Sequence, residues 1–373
     1  DYRVYAGQVI RDAENEMFLL NQIELRTGLK VEVLSNSEQR FISYKAAASR
    51  KEFDQMTAQG AAVVDVGGGS MQITLFVRGN VVTTQHLMLG TMRVREKLAS
   101  IEKYVAHVEN QIQELVDKEL QVFKALYLKD TEIKYVILMG DYIPEVMKQI
   151  RNADTITVKA DRFVGFMDKL NRKGVEEIAD KLNLSNDHDP LIVPAIVLFR
   201  RTVQELGAEE IYTPGISIND GIAYDYAEKN HIVKAEHDFE EDVLSAAYSL
   251  AERYWGYKLH IDALTDMASL LFDAMKKVHG LTGRDRLLLK TAAILHDCGK
   301  YVSLVNGARC SFDIIMASEI IGLTHKEREM VARIVLYNSE PLDAYEDVAD
   351  CLDKESYLTV AKLAAILRVS NAM

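Results

Sequence analysis

The sequence predicts an α/β protein that continues into an all-helical domain, and three observations carry this. Short apolar strands alternate with helices up to about residue 230. A glycine-rich segment, Asp65-Val66-Gly67-Gly68-Gly69-Ser70, interrupts two strand-like runs at the centre of that region. From Phe239 onward only helical periodicity remains, so the boundary falls around Asn230–Phe239.

Arg3–Ala6 and Val31–Leu34 read as strands, joined by an amphipathic helix over Glu14–Arg26 that ends at Gly28. A second helix spans Ser37–Ala48, with Ser37 as its N-cap. Ala61–Val66 is a continuous apolar run, as a buried central strand should be. The chain resumes as Gln72–Val77, turns at Arg78-Gly79-Asn80 and returns as Val81–His86, a hairpin. A long helix follows from about Met92 to Ala125, then strand Tyr135–Met139, with Pro144 at the first position of the next helix. Thr155–Val158 reads as a strand, helices run to Leu206, and Ile211-Tyr212-Thr213-Pro214-Gly215 returns to the sheet. Helices are expected near 240–255, 260–278, 284–298, 311–321, 325–337 and 356–370.

A chain of 373 residues suits two or three domains. Hydrophobic content of 48% with five prolines describes a well-packed globular protein. No stretch has the uncharged apolar length that crosses a bilayer and no signal peptide opens the chain, so no membrane association is expected. Cys298, Cys310 and Cys351 form no CxxC pair, which argues against a disulfide framework or zinc site and for a reducing cytoplasm. The net charge of −12 speaks against nucleic-acid binding and is awkward for any anionic ligand. The charge is uneven, however. Lys30, Arg40, Lys45, Arg50 and Lys51 face only Glu32 and Glu38 in the segment 30–51, whereas segment 340–355 sets seven acidic residues against Lys354. The basic stretch reads either as a wall for a polyanion or as an ordinary solvated face.

The glycine segment lies at the turn of a strand hairpin and opens no helix, which excludes the Walker and dinucleotide loops. Three glycines let backbone N–H groups approach an anion without Cβ interference, and Ser70 adds a hydroxyl donor. Asp65, at the end of a buried strand, could hold Mg²⁺ or orient a water. The alternative is a tight hairpin whose glycines serve geometry alone, although a two-residue turn has no need of three.

DVGGGS followed by a hairpin resembles the second phosphate loop of the actin, hexokinase and heat-shock ATPase superfamily. The stretches VYAGQVIRDAEN, TGLKVEVLSNSEQRFISY, VVDVGGGSMQITLF, GTMRVREKL and LHDCGKYVS resemble, in order and spacing over nearly the whole chain, the exopolyphosphatase and guanosine-pentaphosphate phosphohydrolase family. The resemblance implies actin/hexokinase-like (ribonuclease H-like) lobes, with residues 1–50 the remainder of an N-terminal lobe, 51–232 a second lobe with the phosphate loop, and 233–373 a helical HD-like domain. It implies Mg²⁺-dependent hydrolysis of the terminal phosphate of inorganic polyphosphate by a cytoplasmic homodimer. Guanosine pentaphosphate as substrate, or a weakened member that binds such ligands as a sensor, are the alternatives. In this resemblance Glu38 falls on the catalytic glutamate that polarises the attacking water, and Asp65 on the aspartate that positions metal and water. Gly67, Gly68, Gly69 and Ser70 match the phosphate cradle, and Arg11 an arginine that contacts phosphate. Such a set suits a reaction that is mainly positioning and charge neutralisation. Without the family, Glu38 reads as a solvated first-turn glutamate and Arg11 as a surface arginine.

The sequence departs from the family pattern in several places. Gln72 stands where a glutamate is usual, which keeps hydrogen bonding but removes a charge that could hold Mg²⁺. The third glycine-rich loop is reduced to Gly140-Asp141. A DIGSNS-like first phosphate loop should precede Asp1, and Leu367–Met373 resembles mid-helix sequence, so the chain is expected to be part of a longer protein. In the helical domain His260, His296 and Asp297 follow the order of a metal-dependent HD phosphohydrolase, but Asn371 stands where a closing aspartate should be. The expectation is therefore that this segment holds no working metal site. His296 and Asp297 would instead hydrogen-bond within the helical core, and the domain would extend a binding channel and support dimerisation.

Overall fold

The computed structural model describes residues 2–11, 13–101, 108–129, 131–151, 156–184 and 191–373. They form two compact units, one of residues 1–41, 81–83 and 238–373, the other of residues 42–80 and 84–237.

The chain opens with β1 (Val4–Ala6), α1 (Gln8–Arg11), α2 (Glu16–Thr27), β2 (Val31–Val33) and α3 (Asn36–Ala48). β1 and β2 pair in parallel, Val4 opposite Val31. Gly28 ends α2 in the left-handed region, φ 72°, where glycine carries no Cβ penalty. The amphipathic reading of α2 does not hold: none of its residues is buried, and Met17, Phe18 and Leu25 are 86%, 64% and 71% exposed. Nor is Ser37 the N-cap of α3. The helix begins at Asn36, and Ser35 caps it in a reciprocal pairing with Glu38.

The second unit is built on a six-stranded sheet. After α4 (Phe53–Ala58) come β3 (Ala61–Val66), β4 (Met71–Val77) and β5 (Asn80–Leu87), then α5 (Thr91–Ile101), α6 (Val108–Phe123) and β6 (Tyr135–Gly140). They are followed by α7 (Ile143–Ile150), β7 (Thr157–Lys159), α8 (Ala160–Asn171), α9 (Val175–Leu182), α10 (Ile192–Leu206), β8 (Glu210–Tyr212) and α11 (Ile218–Lys229). The strand order is β5-β4-β3-β6-β8-β7. β3, β6 and β8 run parallel, while β4 and β7 are antiparallel to their inner neighbours. Buried on both faces, β3 and β6 are apolar up to their carboxyl ends, where β3 carries Asp65, and Ala61–Val64 and Val136–Leu138 are almost wholly inaccessible. The β4–β5 turn is the two-residue Arg78-Gly79, both with positive φ (52° and 81°), so Asn80 already belongs to β5. Pro144 is the second residue of α7, which starts at Ile143. The expected helix from Met92 to Ala125 is seen as α5 and α6 and runs on into a π-helical turn over Lys124–Leu128; its residues 102–107 lie outside the described residues, as does Thr155 of the expected strand at 155–158.

The remaining elements are all helical: α12 (Phe239–Arg253), α13 (Lys258–Ala274), α14 (Lys276–His279), α15 (Gly283–Leu295), a 3₁₀ turn (Cys298–Tyr301), α16 (Gly307–Ala317), α17 (His325–Leu336), α18 (Tyr345–Val348) and α19 (Lys354–Ala372). Starts are set by capping boxes, Thr282 with Asp285 at α15 and Thr324 with Glu327 at α17. The core is an aliphatic layer including Leu287, Ile294, Val331, Val335, Val360 and Leu363. The Arg284 guanidinium makes two bonds to Glu327 (2.6 and 2.9 Å) and one to the Gly322 carbonyl (2.6 Å), tying the start of α15 to that of α17.

Candidate active site

β3 and β6 are parallel neighbours, and both end at the same edge of the sheet, Val66 level with Gly140. The carboxyl end of a parallel sheet is where α/β proteins place their ligands. Here it carries the glycine segment, Asp65, Gln72 and Asp141. Gly140 is needed at this point: its φ is 135°, and a Cβ would lie 2.6 Å from the Val66 carbonyl oxygen and 3.0 Å from the Phe199 ring. Asp141, beyond it, is exposed.

The segment Gly67–Ser70 closes on itself, the Gly67 N–H donating to the Ser70 carbonyl (2.9 Å). It is then held by the start of α5. The N–H groups of Thr91, Met92 and Arg93 donate to the carbonyls of Gly67 (3.1 Å), Gly68 (2.8 Å) and Gly68 (3.2 Å). These helix-terminal donors would otherwise need a partner from outside the helix. Their use on the loop's carbonyls fixes the loop, and no hydrogen bond among the described residues engages the N–H groups of Gly68 and Gly69. Gly90 permits the contact, since a Cβ there would fall 2.2 Å from both the Gly68 oxygen and the Ser70 nitrogen. None of Gly67, Gly68 and Gly69 has positive φ, so the loop is not a nest built from alternating left-handed residues. Glycine at 68 answers instead to Met92, whose Sδ would lie 2.8 Å from a Cβ.

Asp65 and Gln72 are direct partners across the β3–β4 ladder, so their side chains leave the same face. One carboxylate beside an amide oxygen suits Mg²⁺, a hard ion that keeps several waters and takes few protein ligands. Arg93, on the first turn of α5, buries its Nε with no hydrogen-bond partner among the described residues. Sequence reasoning passed over this cation although it lies in GTMRVREKL; the available signal was an arginine three residues beyond a glycine that opens a helix.

The Ppx/GppA phosphatase family matches residues 2–230, and its domain III matches residues 245–373. This chain belongs to the Ppx/GppA phosphatase family. A solved exopolyphosphatase-like protein is 19% identical with a TM-score of 0.50, covering 61% of this chain and 76% of its own. A Ppx/GppA family member from Aquifex aeolicus is 17% identical with a TM-score of 0.47, covering 63% and 75%. The bifunctional 3-dehydroquinate synthase/phosphatase of Fusobacterium nucleatum subsp. nucleatum is 27% identical over 128 residues, 33% of this chain but 19% of that protein. The fold is therefore the actin-like one of this family, carried on into an all-helical domain III.

Glu38, Arg11 and the three HD residues of this Ppx/GppA chain lie in the unit of residues 1–41, 81–83 and 238–373. Glu38 is no solvated surface glutamate: its Oε2 accepts from the Ser35 N–H (2.9 Å) and hydroxyl (2.6 Å). No described residue bonds Oε1, which can still accept from a water. The Arg11 guanidinium donates to the Leu34 carbonyl and to Asn36 Oδ1 (2.6 Å), binding the start of α3 to α1. The basic stretch is not a continuous wall, because Lys45 is buried and ion-paired with Asp225 (2.9 Å) and Glu228 of α11.

The HD segment does bring its three residues together. Donor atoms of exposed His260, buried His296 and half-buried Asp297 all lie within 4.8 Å of one another. His260 is in the first turn of α13 and His296 ends α15, helices that pack together. The turn after His296 is pressed onto α16: the Gly299 N–H donates to Ser311 Oγ (2.8 Å), and a Cβ at Gly299 would lie 2.1 Å from the Gly307 oxygen. The expected hydrogen bond between His296 and Asp297 is not made. Nε2 and Oδ2 are 3.3 Å apart, an ion-pair distance, yet Nε2 has no hydrogen-bond partner among the described residues. Burial alone would raise the Asp297 carboxyl, but the His296 ring and the Lys300 ammonium (2.7 Å) outweigh it and hold it at about 2.

Proposed function

We propose that the chain takes part in Mg²⁺-dependent removal of the terminal phosphate of inorganic polyphosphate. The observation that carries the reading is the sheet edge: two unclaimed loop N–H groups, Ser70, Arg93 and Asp65 gathered on a fixed loop, in a chain of a phosphatase family. In this reading the Gly68 and Gly69 N–H groups and the Ser70 hydroxyl hold phosphoryl oxygens, and Arg93 supplies positive charge. Glu38 takes the proton of the attacking water through Oε1 while Ser35 keeps the carboxylate oriented through Oε2. Mg²⁺, when bound at Asp65, supplies the charge that a carboxylate-lined edge lacks. The same parts would serve guanosine pentaphosphate. Gln72 in place of a carboxylate and the exposed Asp141 are what favour a sensor that binds without turnover.

Phosphate release from polyphosphate and from guanosine pentaphosphate, each with and without Mg²⁺, separates the three readings. For Glu38→Gln, glutamine retains a capping-box acceptor at N3, so the thermal transition should persist while turnover falls by about 10²–10⁴. Unchanged turnover removes Glu38 from the chemistry, and ligand binding without release by the parent chain establishes the sensor.

A further inference from the structure

Against the phosphate loop lies a side chain that the proposed chemistry does not use. We propose that Met92 is a reversible oxidation site whose sulfoxide closes the loop to phosphate, an inference that rests on the phosphate-loop reading above. The absence of a side chain at Gly68 makes room for this methionine. A Cβ there would meet its Sδ at 2.8 Å, its Cγ at 3.3 Å and its Cβ at 3.8 Å. The thioether therefore rests on the Gly68 α-carbon, and the bond from the Met92 N–H to the Gly68 carbonyl (2.8 Å) holds its backbone in place.

Access and consequence coincide at this residue. Met92 is 44% exposed, so a peroxide in solution reaches its sulfur. Met71 of β4 and Met139 of β6 are buried within the sheet and shielded. Met88 is 49% exposed, but none of its atoms is among the nearest to Gly67, Gly68 or Gly90. It is open to the same oxidant without lying on the loop.

The step is an oxygen-atom transfer from a hydroperoxide. The thioether sulfur gives an electron pair to one oxygen of hydrogen peroxide, so an S–O bond forms and the O–O bond breaks. The departing hydroxide takes the proton of the transferred oxygen and leaves as water. Sulfur is oxidised by two electrons and the peroxide reduced by two. In the return step a dithiol becomes a disulfide and the oxygen leaves as water, the reaction of methionine sulfoxide reductases. Oxidation turns an apolar side chain into a polar one whose new oxygen only accepts. The loop beside it is short of acceptors: no described residue bonds the Gly68 and Gly69 N–H groups, and the buried Nε of the adjacent Arg93 has no partner among them. The sulfoxide oxygen takes the place that a phosphoryl oxygen takes in the reading above. An acceptor tethered this closely acts at an effective concentration of about millimolar, enough to compete with a free ligand.

The test treats the full chain with graded hydrogen peroxide and follows the sulfoxide at each methionine by peptide mass mapping. Binding of tripolyphosphate is read by calorimetry, with phosphate release from polyphosphate alongside. Binding should weaken about tenfold or more as Met92 is converted, the scale of one hydrogen bond to a charged group. It should return on treatment with methionine sulfoxide reductase and dithiol. Tripolyphosphate bound beforehand should slow oxidation at Met92 and leave Met17, exposed on α2, at its own rate. Met92→Leu keeps the N–H and the apolar cover but has no sulfur, so peroxide should cost it none of its own untreated binding. Met88→Leu should be as sensitive as the parent. An untreated parent that binds no tripolyphosphate overturns the phosphate-loop reading and this inference with it. A parent that binds equally well with Met92 fully oxidised, or a Met92→Leu variant as sensitive as the parent, overturns this inference alone.

Discussion

Asp65 and Gln72 face each other across the β3–β4 ladder, and Gln72 is buried. Replacing that amide by a carboxylate is the smallest change that reports on a cation at this edge. Without metal, Gln72→Glu sets two like charges directly opposite each other, which destabilises a strand pair, here by about 1–3 kcal/mol because the group is buried. With Mg²⁺ the two carboxylates become a better oxygen site, and binding to the folded state alone restores stability. The expected outcome is a variant whose Tm falls in EDTA and recovers in millimolar Mg²⁺ while the parent responds less. A Tm of Gln72→Glu that is indifferent to Mg²⁺ would mean that no Mg²⁺ sits beside Asp65.

At the scale of elements, α3 and α11 are locked by charge within one unit. Lys45 of α3 reaches both Asp225 and Glu228, and Gly221 of α11 lets the helices approach, a Cβ there falling 2.5 Å from the Ile42 oxygen. Burial alone would raise the Asp225 carboxyl; Lys229 and Lys45 outweigh it and hold it below the usual 3.8. A depressed carboxyl contributes stability above its unfolded value and loses it as pH falls through the folded one. Lys45→Met takes the cation from half-buried Glu228 and leaves Asp225 with Lys229 alone, which should cost about 1–3 kcal/mol at pH 7. The gap to the parent should narrow in acid, since the variant's carboxyls protonate earlier; urea unfolding at pH 7 and pH 4 measures it, and a constant gap would rule out the ion-pair origin. This clamp was not legible in the sequence, where Lys45 was one of five basic residues in a run. What was legible depended on short-range rules. The apolar runs of β3 and β6, the Gly28 terminus of α2 and the β4–β5 turn all follow from local periodicity and backbone freedom. The capping box Ser35-x-x-Glu38 was equally local, yet the family role of Glu38 drew attention from its bond to Ser35. The meeting of His296 with His260 depends on the packing of α13 against α15, which residue order does not convey.

At the scale of the molecule, a net charge of −12 stands against the polyanion proposed as the substrate. No helix among the described residues is long and apolar enough to cross a membrane. Long-range repulsion lowers the encounter rate, while loop N–H groups and Arg93 act only at contact. Salt separates the two. The Debye length shortens from about 30 Å at 0.01 M to about 8 Å at 0.15 M, which removes repulsion across the molecule but leaves short contacts largely intact. With free Mg²⁺ held constant, kcat/KM for long polyphosphate should therefore rise between these two salt concentrations, and kcat should stay level because the bound geometry is unchanged. A short substrate such as tripolyphosphate carries less charge and should show a smaller rise. Steady-state phosphate release at graded KCl decides the matter. A kcat/KM that falls steadily with salt would show that basic groups near the loop, and not the net charge, govern the approach of the substrate.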